Sequence, residues 1–491
     1  MIRDLPVRGG YSSDDQRDDV VVRVVVLGAG LAGCAAAWVL SRRGHDVIVL
    51  DRDDFNPHPT ASADQLFGDW HRPAIGQFRQ PHNFLGRARA VVRAEFPDVY
   101  ATLRAMGAGE VDQQWFLGSA PRLPGDEQLA TIACRRPVFD AVLRTAVFKQ
   151  PTVTFRPAEV SGLCVTNRAT MPRVSGVELS AGHRLEADLV VDAMGRNSPV
   201  SGWLSAAGVM PWPQESRDCG LLYYSRHYQL HDHAGAVPYA SVLGGPRGDL
   251  GYLAFAAFLG DNATFCLCVM PPAWDKQWRQ LRQPEAFDRV ARRLPGMLEW
   301  LELARPITDV LPMGQLRNSL KQTLINDVPV VSGLVPIGDA RSHTNPTFAF
   351  GASLALSQAV ALRSTVDTAA DSDDLTTSFE HVVHPDATER FRAVSAEDRD
   401  RYRAWSGEPI TVTDRRDTMS LFLRSVVYRV APFDPAILRA VCRRINALDP
   451  VDALAAQTDL LDRAEIMYRD MASGLPAPPS RTHLLAELYA T

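Results

Sequence analysis

The first hydrophobic run of the chain, residues 20–27, is almost entirely apolar and rich in β-branched side chains. This pattern predicts a strand of a parallel sheet that is buried on both faces. Residues 31–43 then combine small side chains with leucine, which predicts a closely packed helix, and Gly44 ends it. A second buried strand is predicted over residues 47–50. The chain therefore opens with a βαβ unit.

The pattern changes after this unit. Residues 53–80 are polar and too numerous for an ordinary connection, which predicts a functional excursion. Residues 219–272 are rich in Tyr, Phe, Leu and Val with Gly breaks, which predicts an antiparallel sheet. Further strands are predicted over residues 160–165, 185–192 and 328–337, and helices over residues 137–148, 286–303 and 352–370 and from residue 373 to the end.

Composition then restricts the function classes. The 491 residues are 46% hydrophobic and 22% charged, and the formal net charge is -5, so there is no basic field to hold nucleic acid. The seven cysteines are scattered and form no CxxC pair. Neither a disulfide framework nor a metal site is expected, and a reducing, cytoplasmic location is predicted. We find no apolar stretch long enough to predict a transmembrane helix.

A glycine motif lies between the first predicted strand and helix. Gly28 suits the tight turn, Gly30 lets the backbone approach a pyrophosphate, and Gly33 lets the helix pack closely on the strand. The helix N-terminus offers free N–H groups to phosphates. Asp51, at the end of the second strand, is placed to accept hydrogen bonds from a ribose, and it disfavours a 2′-phosphate, although Arg52 could soften that repulsion. The motif therefore predicts FAD or NAD.

A second motif distinguishes these two cofactors. Residues 334–353 contain Gly338-Asp339, then Pro346 and Gly351, and a long predicted helix. This segment resembles the second FAD motif of the FAD-dependent monooxygenase superfamily, which includes aromatic hydroxylases and polyether-type epoxidases. The resemblance implies that Asp339 meets the ribityl chain and that the helix start, with Ala352 and Ser353, faces the flavin.

Other segments match the same superfamily in the expected order. Asp192 and Gly195 match its strand-then-glycine motif, residues 71–82 resemble a segment that crosses the flavin, and Arg136 matches an arginine that helps to hold the cofactor. The resemblance spans about residues 21–360. The implied FAD contacts are Gly28, Gly30, Leu31, Ala32, Gly33, Asp51, Arg52, Arg72, Arg136, Val160, Asp192, Gly195, Gly338, Asp339, Pro346, Gly351, Ala352 and Ser353.

The resemblance implies an α/β fold with a Rossmann-like FAD domain of the glutathione-reductase type. An inserted mixed or antiparallel β-sheet domain would bind the substrate, and a helical C-terminal part would follow. The predicted division is a flexible tail at residues 1–19, an FAD domain at 20–215 and 307–370, a substrate domain at 216–306 with parts of 53–130, and a helical region at 371–491.

The activity implied by the resemblance is hydroxylation or epoxidation by way of a C4a-hydroperoxyflavin. The apolar residues within 219–272 suggest an apolar small-molecule substrate, and analogy with the epoxidase-like branch suggests a secondary metabolite such as a polyketide. O2 is the second substrate, and NADH, NADPH or a separate flavin reductase supplies electrons. Halogenation is disfavoured, because no lysine precedes Lys149 and the Trp-x-Trp-x-Ile-Pro segment of flavin halogenases is absent.

Four residues are candidates for a catalytic role. His343 lies inside the second flavin motif, and Arg79 and His82 lie on the segment that resembles the flavin-crossing one. Arg226, on the predicted substrate sheet, could hold an acidic or phenolate substrate. For each, a structural role is an open alternative: a loop histidine bonded to backbone, solvated loop charges, or an ion pair for Arg226. Tyr223 and Tyr224 alternate faces on a strand, so one should face the core and the other the pocket.

Three other functions remain open from the sequence. One is a flavoenzyme reductase or dehydrogenase that acts on a C=C bond. Another is a cyclase in which FAD is structural and the chemistry is non-redox. Ala349 keeps this second possibility open, because the superfamily has glycine at the corresponding position beside the flavin ring. The third is a flavoprotein that binds without turnover.

Overall fold

The computed structural model describes residues 21–54, 60–118, 120–167, 171–232, 241, 243–471 and 478–490. The predicted flexible tail, residues 1–19, lies outside the described residues. Among those that are described, no helix is long and apolar enough to cross a membrane.

A five-stranded parallel sheet forms the centre of the first part of the chain. The strand Arg23–Leu27 lies between Leu189–Asp192 and Asp46–Asp51, and Val24 to Val26 are fully buried, as the β-branched run predicts. Leu334–Pro336 and Val153–Pro157 form the two edges. All five strands run parallel, so their carboxyl ends open at one edge of the sheet, where ligands of α/β folds bind.

The two faces of this sheet are covered differently. Helix Leu31–Ser41 packs on one face between Arg136–Phe148 and Phe350–Thr368, and its small residues, such as Ala36, allow the close approach. The other face packs against a three-stranded antiparallel sheet of Val160–Thr166, Arg173–Leu179 and Arg184–Glu186.

A six-stranded antiparallel sheet follows. Its strands are Gly244–Asp249, Ala254–Leu259, Thr264–Met270, Tyr223–Leu230 and Ala304–Pro306 in spatial order, with Leu311–Met313 also paired to Tyr223–Leu230. Tyr224 and Phe255 lie on a face covered by Pro284–Ala291, Met297–Glu302 and the C-terminal helix Arg481–Tyr489. Tyr223, Ala256 and Phe258 lie on the opposite face.

Three predicted elements are each divided in two. Residues 185–192 contain the end of one strand and the whole of another, in different sheets, because the chain turns at Asp188. The helix predicted over 286–303 is interrupted at Gly296, whose φ of +73° is left-handed. Residues 328–337 hold two short strands, separated near Gly333, whose φ is also positive.

The C-terminal region is helical, as predicted. Its helices are Ser372–Trp405, Arg415–Phe422, Tyr428–Val430, Pro435–Ile445, Thr458–Met471 and Arg481–Tyr489, with a π-helical turn at Leu423–Val427. Several pack around their own core, centred on Phe422 and Val426. The region also contacts the first part of the chain, where the Arg87 guanidinium pairs with Asp386 at 2.8 Å and the Gly86 N–H donates to Asn446 at 2.7 Å. An α/β fold with a parallel sheet, an antiparallel sheet and a helical C-terminal part is therefore confirmed.

The remaining elements connect these layers. The helices are Ala63–Asp69, Gly86–Glu95, Pro97–Ala105 and Val200–Ala206, and the 3₁₀ turns are Gln113–Leu117, Asp126–Gln128, Lys276–Arg282, Gly338–Ala340, Pro346–Phe348 and Ala431–Phe433. The strands are Gly109–Asp112 paired with Ala130–Ala133, Leu324–Ile325 paired with Val328–Pro329, and a three-stranded sheet of Gln214–Asp218, Arg317–Lys321 and Ser342–His343.

Candidate functional site

A continuous cavity of about 390 Å³ lies at the carboxyl ends of the parallel strands. It begins at Gly28 and Asp51 and continues to the face of the antiparallel sheet that carries Tyr223 and Phe258. Most of the predicted site residues line it: Gly28, Gly30, Leu31, Ala32, Asp51, Arg52, Arg72, His82, Arg136, Val160, Gly195, Asp339, His343, Pro346, Gly351 and Ala352. The structure therefore brings the two sequence motifs to one site.

The glycines of the first motif occupy the positions that their predicted duties require. Gly28 has a φ of +99°, and a Cβ there would lie 2.7 Å from the Ala193 carbonyl oxygen. A Cβ on Gly33 would lie 1.8 Å from the Gly28 carbonyl oxygen, so Gly33 sits at the helix–strand contact rather than on the cavity wall. At Gly30 the nearest atom would be 4.0 Å away, and this glycine opens onto the cavity.

Asp51 is held rigidly at the cavity wall. Its Oδ2 accepts hydrogen bonds from the Ala29 N–H and from Arg72 Nη2, both at 2.6 Å. Arg72 also donates to Asp53 at 2.8 Å and to the Ala29 carbonyl at 2.8 Å. Arg72 therefore braces the turn and the carboxylate together. This bracing was not foreseen from the sequence, which suggested only that Arg72 contacts the cofactor.

Asp192 stabilises the turn that follows strand Leu189–Asp192. It is fully buried, outside the cavity lining, and accepts hydrogen bonds from Ser198 Oγ at 2.6 Å and from the Met194 N–H at 3.1 Å. Lys321 Nζ lies 3.7 Å away. Burial raises the pKa of Asp192, although Lys321 and Ser198 oppose that shift. Asp192 thus shapes the turn that presents Gly195 to the cavity.

Asp339 joins the second motif to the segment 71–82. Gln77 Nε2 donates to its Oδ2 at 2.9 Å, and His343 Nδ1 lies 3.3 Å from the same oxygen. Burial raises the pKa of this carboxyl, but His343, Arg136 and Gln77 together outweigh burial and lower it to about 2. Asp339 is therefore an anion at neutral pH, with one oxygen already bonded to the protein.

Two helix N-termini open into the cavity. Helix Leu31–Ser41 begins after Gly30 and helix Phe350–Thr368 begins after Ala349, and neither has a side chain that caps its first N–H groups. First-turn N–H groups have no partner within a helix, so they require an acceptor from elsewhere. A pyrophosphate at the first helix and a flavin at the second would supply such acceptors. The donor set of this cavity therefore fits FAD.

Gly338 and Ser353 support the second helix from outside the cavity. Gly338 has a φ of +58°, and its N–H donates to Gln358 Oε1 at 2.7 Å, while a Cβ there would lie 2.8 Å from the Ala32 Cβ. Gly338 therefore allows the two helices that face the cavity to approach each other. Ser353 is buried within the first turn of the second helix.

His82 is held in one protonation state. Its Nδ1 lies 2.9 Å from the Gln80 carbonyl oxygen, and Arg136 Nη1 lies 3.2 Å from its Nε2. Because a carbonyl only accepts and a guanidinium only donates, Nδ1 carries the proton and Nε2 accepts. Burial, aided by Arg136, lowers the pKa of His82 to about 3. His82 is therefore neutral at physiological pH and orients Arg136.

Arg79 and Arg226 lie outside the cavity. The Arg79 guanidinium stacks over the Phe67 ring, 4.7 Å from its centroid. Arg226 forms an ion pair with Asp288 at 2.7 Å and donates to the Thr308 carbonyl at 3.0 Å. The side chain of Arg226 therefore makes the structural ion pair that was its alternative role. The reason is strand alternation, because Tyr223 faces the cavity and Arg226, three residues later, faces the opposite side.

The second half of the cavity is formed by residues that the sequence only partly indicated. Tyr223 faces it, whereas Tyr224 packs into the core behind the sheet, so the predicted alternation is confirmed. Phe258 and Met313 complete this wall. Asn345 also lines the cavity, and strand alternation together with the second motif could have identified Tyr223 and Asn345, but no local signal indicates Phe258 or Met313.

Two sequence comparisons relate this chain to known proteins. Residues 23–112 match the family model described as FAD dependent oxidoreductase. Protein Rv3254 of Mycobacterium tuberculosis (strain ATCC 25618 / H37Rv) is 25% identical over 372 residues, which cover 69% of this chain and 72% of that protein.

Two solved structures show the same fold. The flavin-dependent brominase Bmp2 has a TM-score of 0.59 and 16% identity, covering 91% of this chain and 99% of the brominase. PqsL, described as a probable FAD-dependent monooxygenase from Pseudomonas aeruginosa, has a TM-score of 0.57 and 16% identity, covering 82% and 99%. These structures confirm the predicted fold, and the family match over residues 23–112 agrees with the prediction that this part of the chain binds FAD.

Proposed function

We propose that this protein is an FAD-dependent monooxygenase that hydroxylates or epoxidises an apolar small molecule. The observation that carries the proposal is the continuity of the cavity, which joins a dinucleotide site to an apolar wall of the antiparallel sheet. A cofactor bound at one end would have its reactive ring beside a substrate at the other end. The fold shared with a brominase and a probable monooxygenase supports this reaction class.

The chain's own residues would hold the cofactor in a defined orientation. Gly30 and the helix that follows it would receive the pyrophosphate, and Asp51 would accept hydrogen bonds from the adenosine ribose. Asp339 would accept from the ribityl chain, and the start of helix Phe350–Thr368 would stabilise negative charge on the flavin ring. Bound FAD would supply the redox chemistry, with electrons from NADH, NADPH or a separate flavin reductase and with O2 as the oxidant.

The antiparallel sheet contributes an apolar wall to the substrate end of the cavity. Tyr223, Phe258 and Met313 form the wall contributed by the sheet, and Trp405, at the end of helix Ser372–Trp405, packs against the same sheet face. Such a wall excludes water and favours an apolar substrate. We propose a secondary metabolite such as a polyketide, by analogy with the epoxidase-like branch of the superfamily.

The position of the lysines favours oxygenation over halogenation. Flavin halogenases need a lysine near the first third of the chain, whereas this chain has lysine only at Lys149, Lys276 and Lys321. None of the three lines the described cavity. Lys321 is buried beside Asp192 instead.

The proposed domain boundaries follow the layers of the fold. Residues 20–215 and 307–370 would bind FAD, residues 216–306 with parts of 53–130 would bind the substrate, and residues 371–491 would cover both. Leu311–Met313 extends the substrate sheet beyond residue 306. We also propose a cytoplasmic location, which suits seven cysteines that are all free.

A spectroscopic experiment tests the function. We expect the purified protein to bind FAD and its flavin absorbance to bleach anaerobically with NADH, NADPH or an added flavin reductase. Readmitted O2 should restore the absorbance. With a panel of apolar aromatic and polyketide substrates, O2 uptake should match product that has gained one oxygen atom. A Gly30→Val variant is the matched control. Its side chain would occupy the space through which the backbone approaches the pyrophosphate, so the purified variant should bind no FAD and show no flavin absorbance.

Other results would support the rival functions. Turnover of a C=C substrate under argon, without O2 uptake, would indicate a reductase. Product formed at full rate with oxidised flavin and no reductant would indicate a cyclase. A wild-type protein that takes up no FAD would refute the proposal at its base.

A further inference from the structure

We infer that Asp398, in helix Ser372–Trp405 of the C-terminal region, is a positioning residue that fixes the loop facing the flavin through Asn345. This inference rests on the proposed function, because the loop 345–349 faces a flavin only if FAD binds in the cavity. Asp398 itself lies outside the cavity lining and 53 residues beyond Asn345 in sequence. It would therefore act on the cofactor site indirectly.

The first step is the bond between Asp398 and Asn345. Asn345 Nδ2 donates to Asp398 Oδ1 at 2.7 Å, and Asn345 is fully buried while Asp398 is 4% exposed. A carboxylate only accepts, so Asp398 dictates which end of the Asn345 amide faces it. The amide oxygen must then point away from the helix and toward the cavity side.

The second step is the set of hydrogen bonds that the Asn345 amide oxygen accepts on the cavity side. Tyr223 OH donates to it at 2.5 Å, and the Thr347 N–H and hydroxyl donate to it at 3.1 and 2.9 Å. Tyr223 belongs to the substrate sheet and Thr347 to the turn before helix Phe350–Thr368. One amide group thus joins the substrate wall to the turn that leads into the flavin-facing helix.

Asp398 is itself held by two further donors. Asn318 Nδ2 donates to its Oδ2 at 2.7 Å, and Arg401 Nη2 donates to its Oδ1 at 2.6 Å. The Asn318 amide oxygen in turn accepts the Asn345 backbone N–H at 2.6 Å. The loop is therefore fixed at both its backbone and its side chain by groups that converge on Asp398. Because these groups are buried, breaking their bonds would leave donors and acceptors without partners, so the network favours one conformation.

The turn that this network fixes has an unusual backbone. Ala349 closes it with a φ of +54° and a ψ of +22°, a left-handed conformation that favours glycine. The residue also lines the cavity immediately before the uncapped helix start. A strained residue persists only where its surroundings hold it, and the Asp398 network supplies hydrogen bonds two and four residues upstream, at Thr347 and Asn345.

The test measures FAD affinity and the spectrum of the bound flavin in the full chain. Asp398→Asn places an amide donor where Asn345, Asn318 and Arg401 all donate, so the network cannot be satisfied. The matched control is Asp400→Asn on the same helix. Asp400 is equally buried, but it accepts from Ser420 Oγ at 2.5 Å and from Arg399 at 3.0 Å, away from the loop.

We expect the Asp398→Asn variant to bind FAD about tenfold more weakly, which corresponds to about 1.4 kcal/mol. The visible spectrum and midpoint potential of its bound flavin should shift, whereas the Asp400→Asn variant should keep the wild-type values. Asn345→Ala should weaken binding by a similar factor. Because Asp398 acts through Asn345, the double variant should be no weaker than Asn345→Ala alone.

Several outcomes would overturn the inference while leaving the proposed function intact. They are an Asp398→Asn variant whose FAD affinity and flavin spectrum equal those of Asp400→Asn, or effects of the two single variants that multiply. If Asp398→Asn does not fold, Asn318→Ala tests the same network, and a wild-type FAD affinity in that variant would be equally negative. Failure of the wild-type protein to bind FAD would instead overturn the proposed function and this inference with it.

Discussion

The protonation of His82 gives a quantitative prediction of stability against pH. The folded protein holds the His82 pKa at about 3, below the ordinary value of 6.5, because burial and Arg136 disfavour the imidazolium. Below pH 6.5 the unfolded chain binds a proton at this histidine and the folded protein does not. Stability must therefore fall as the pH falls from 6.5 toward 3.

The size of this loss follows from the two pKa values. Each pH unit in that window costs about 1.4 kcal/mol, so His82 alone should remove about 2 kcal/mol between pH 7 and pH 5. His227, whose pKa burial likewise lowers to about 3, should remove a similar amount. The two losses add to the steepness of the same acid transition.

The perturbation is His82→Gln, because glutamine has one donor for the Gln80 carbonyl and one acceptor for Arg136 but does not titrate. Urea unfolding of wild type and variant, followed by tryptophan fluorescence at pH 7, 6 and 5, measures the difference. We expect the variant to gain about 2 kcal/mol relative to wild type between pH 7 and pH 5. Stability curves that stay parallel over this range would refute the reasoning.

The remaining predictions concern strain, packing and the cavity boundary. Ala349→Gly should leave the free energy of unfolding unchanged or raise it by up to about 1 kcal/mol, since relief of left-handed strain opposes the added freedom of the unfolded chain; a clear loss in thermal unfolding would contradict this. Arg226→Gln should destabilise the protein, because Asp288 loses its partner, yet leave the FAD dissociation constant unchanged; a weaker FAD complex would place Arg226 in the site after all. Asp339→Ala should weaken FAD binding by tenfold or more in a fluorescence titration, and unchanged binding would show that this carboxylate does not contact the cofactor.

Features that depend only on neighbouring residues were the easiest to predict from the sequence. Gly28, Gly30 and Gly33 have duties set by a turn of six residues, so their spacing alone indicated them. Arg226 shows the opposite case. Its residue type suited a substrate contact, but the register of its strand turns it toward Asp288, and register depends on partners distant in sequence.

Asp398 is the clearest example of what the sequence could not indicate. It lies in a helical region without a recognisable motif, where the sequence predicts that a carboxylate lies on the solvent-exposed face of a helix. Only the folded chain shows that this carboxylate is buried against Asn318 and Asn345. Broken elements such as residues 185–192 were missed for a related reason, because the pattern of one predicted strand does not reveal that its two halves join different sheets.

The path of helix Ser372–Trp405 has a consequence for the order in which the protein matures. Synthesis proceeds from the N-terminus, so the first glycine motif leaves the ribosome long before Asp398 and Asn446 do. The side-chain N–H group of Asn345 and the backbone N–H of Gly86 obtain their partners from those late residues. We therefore expect the nascent chain to complete this loop, and with it the proposed cofactor site, only late in its synthesis.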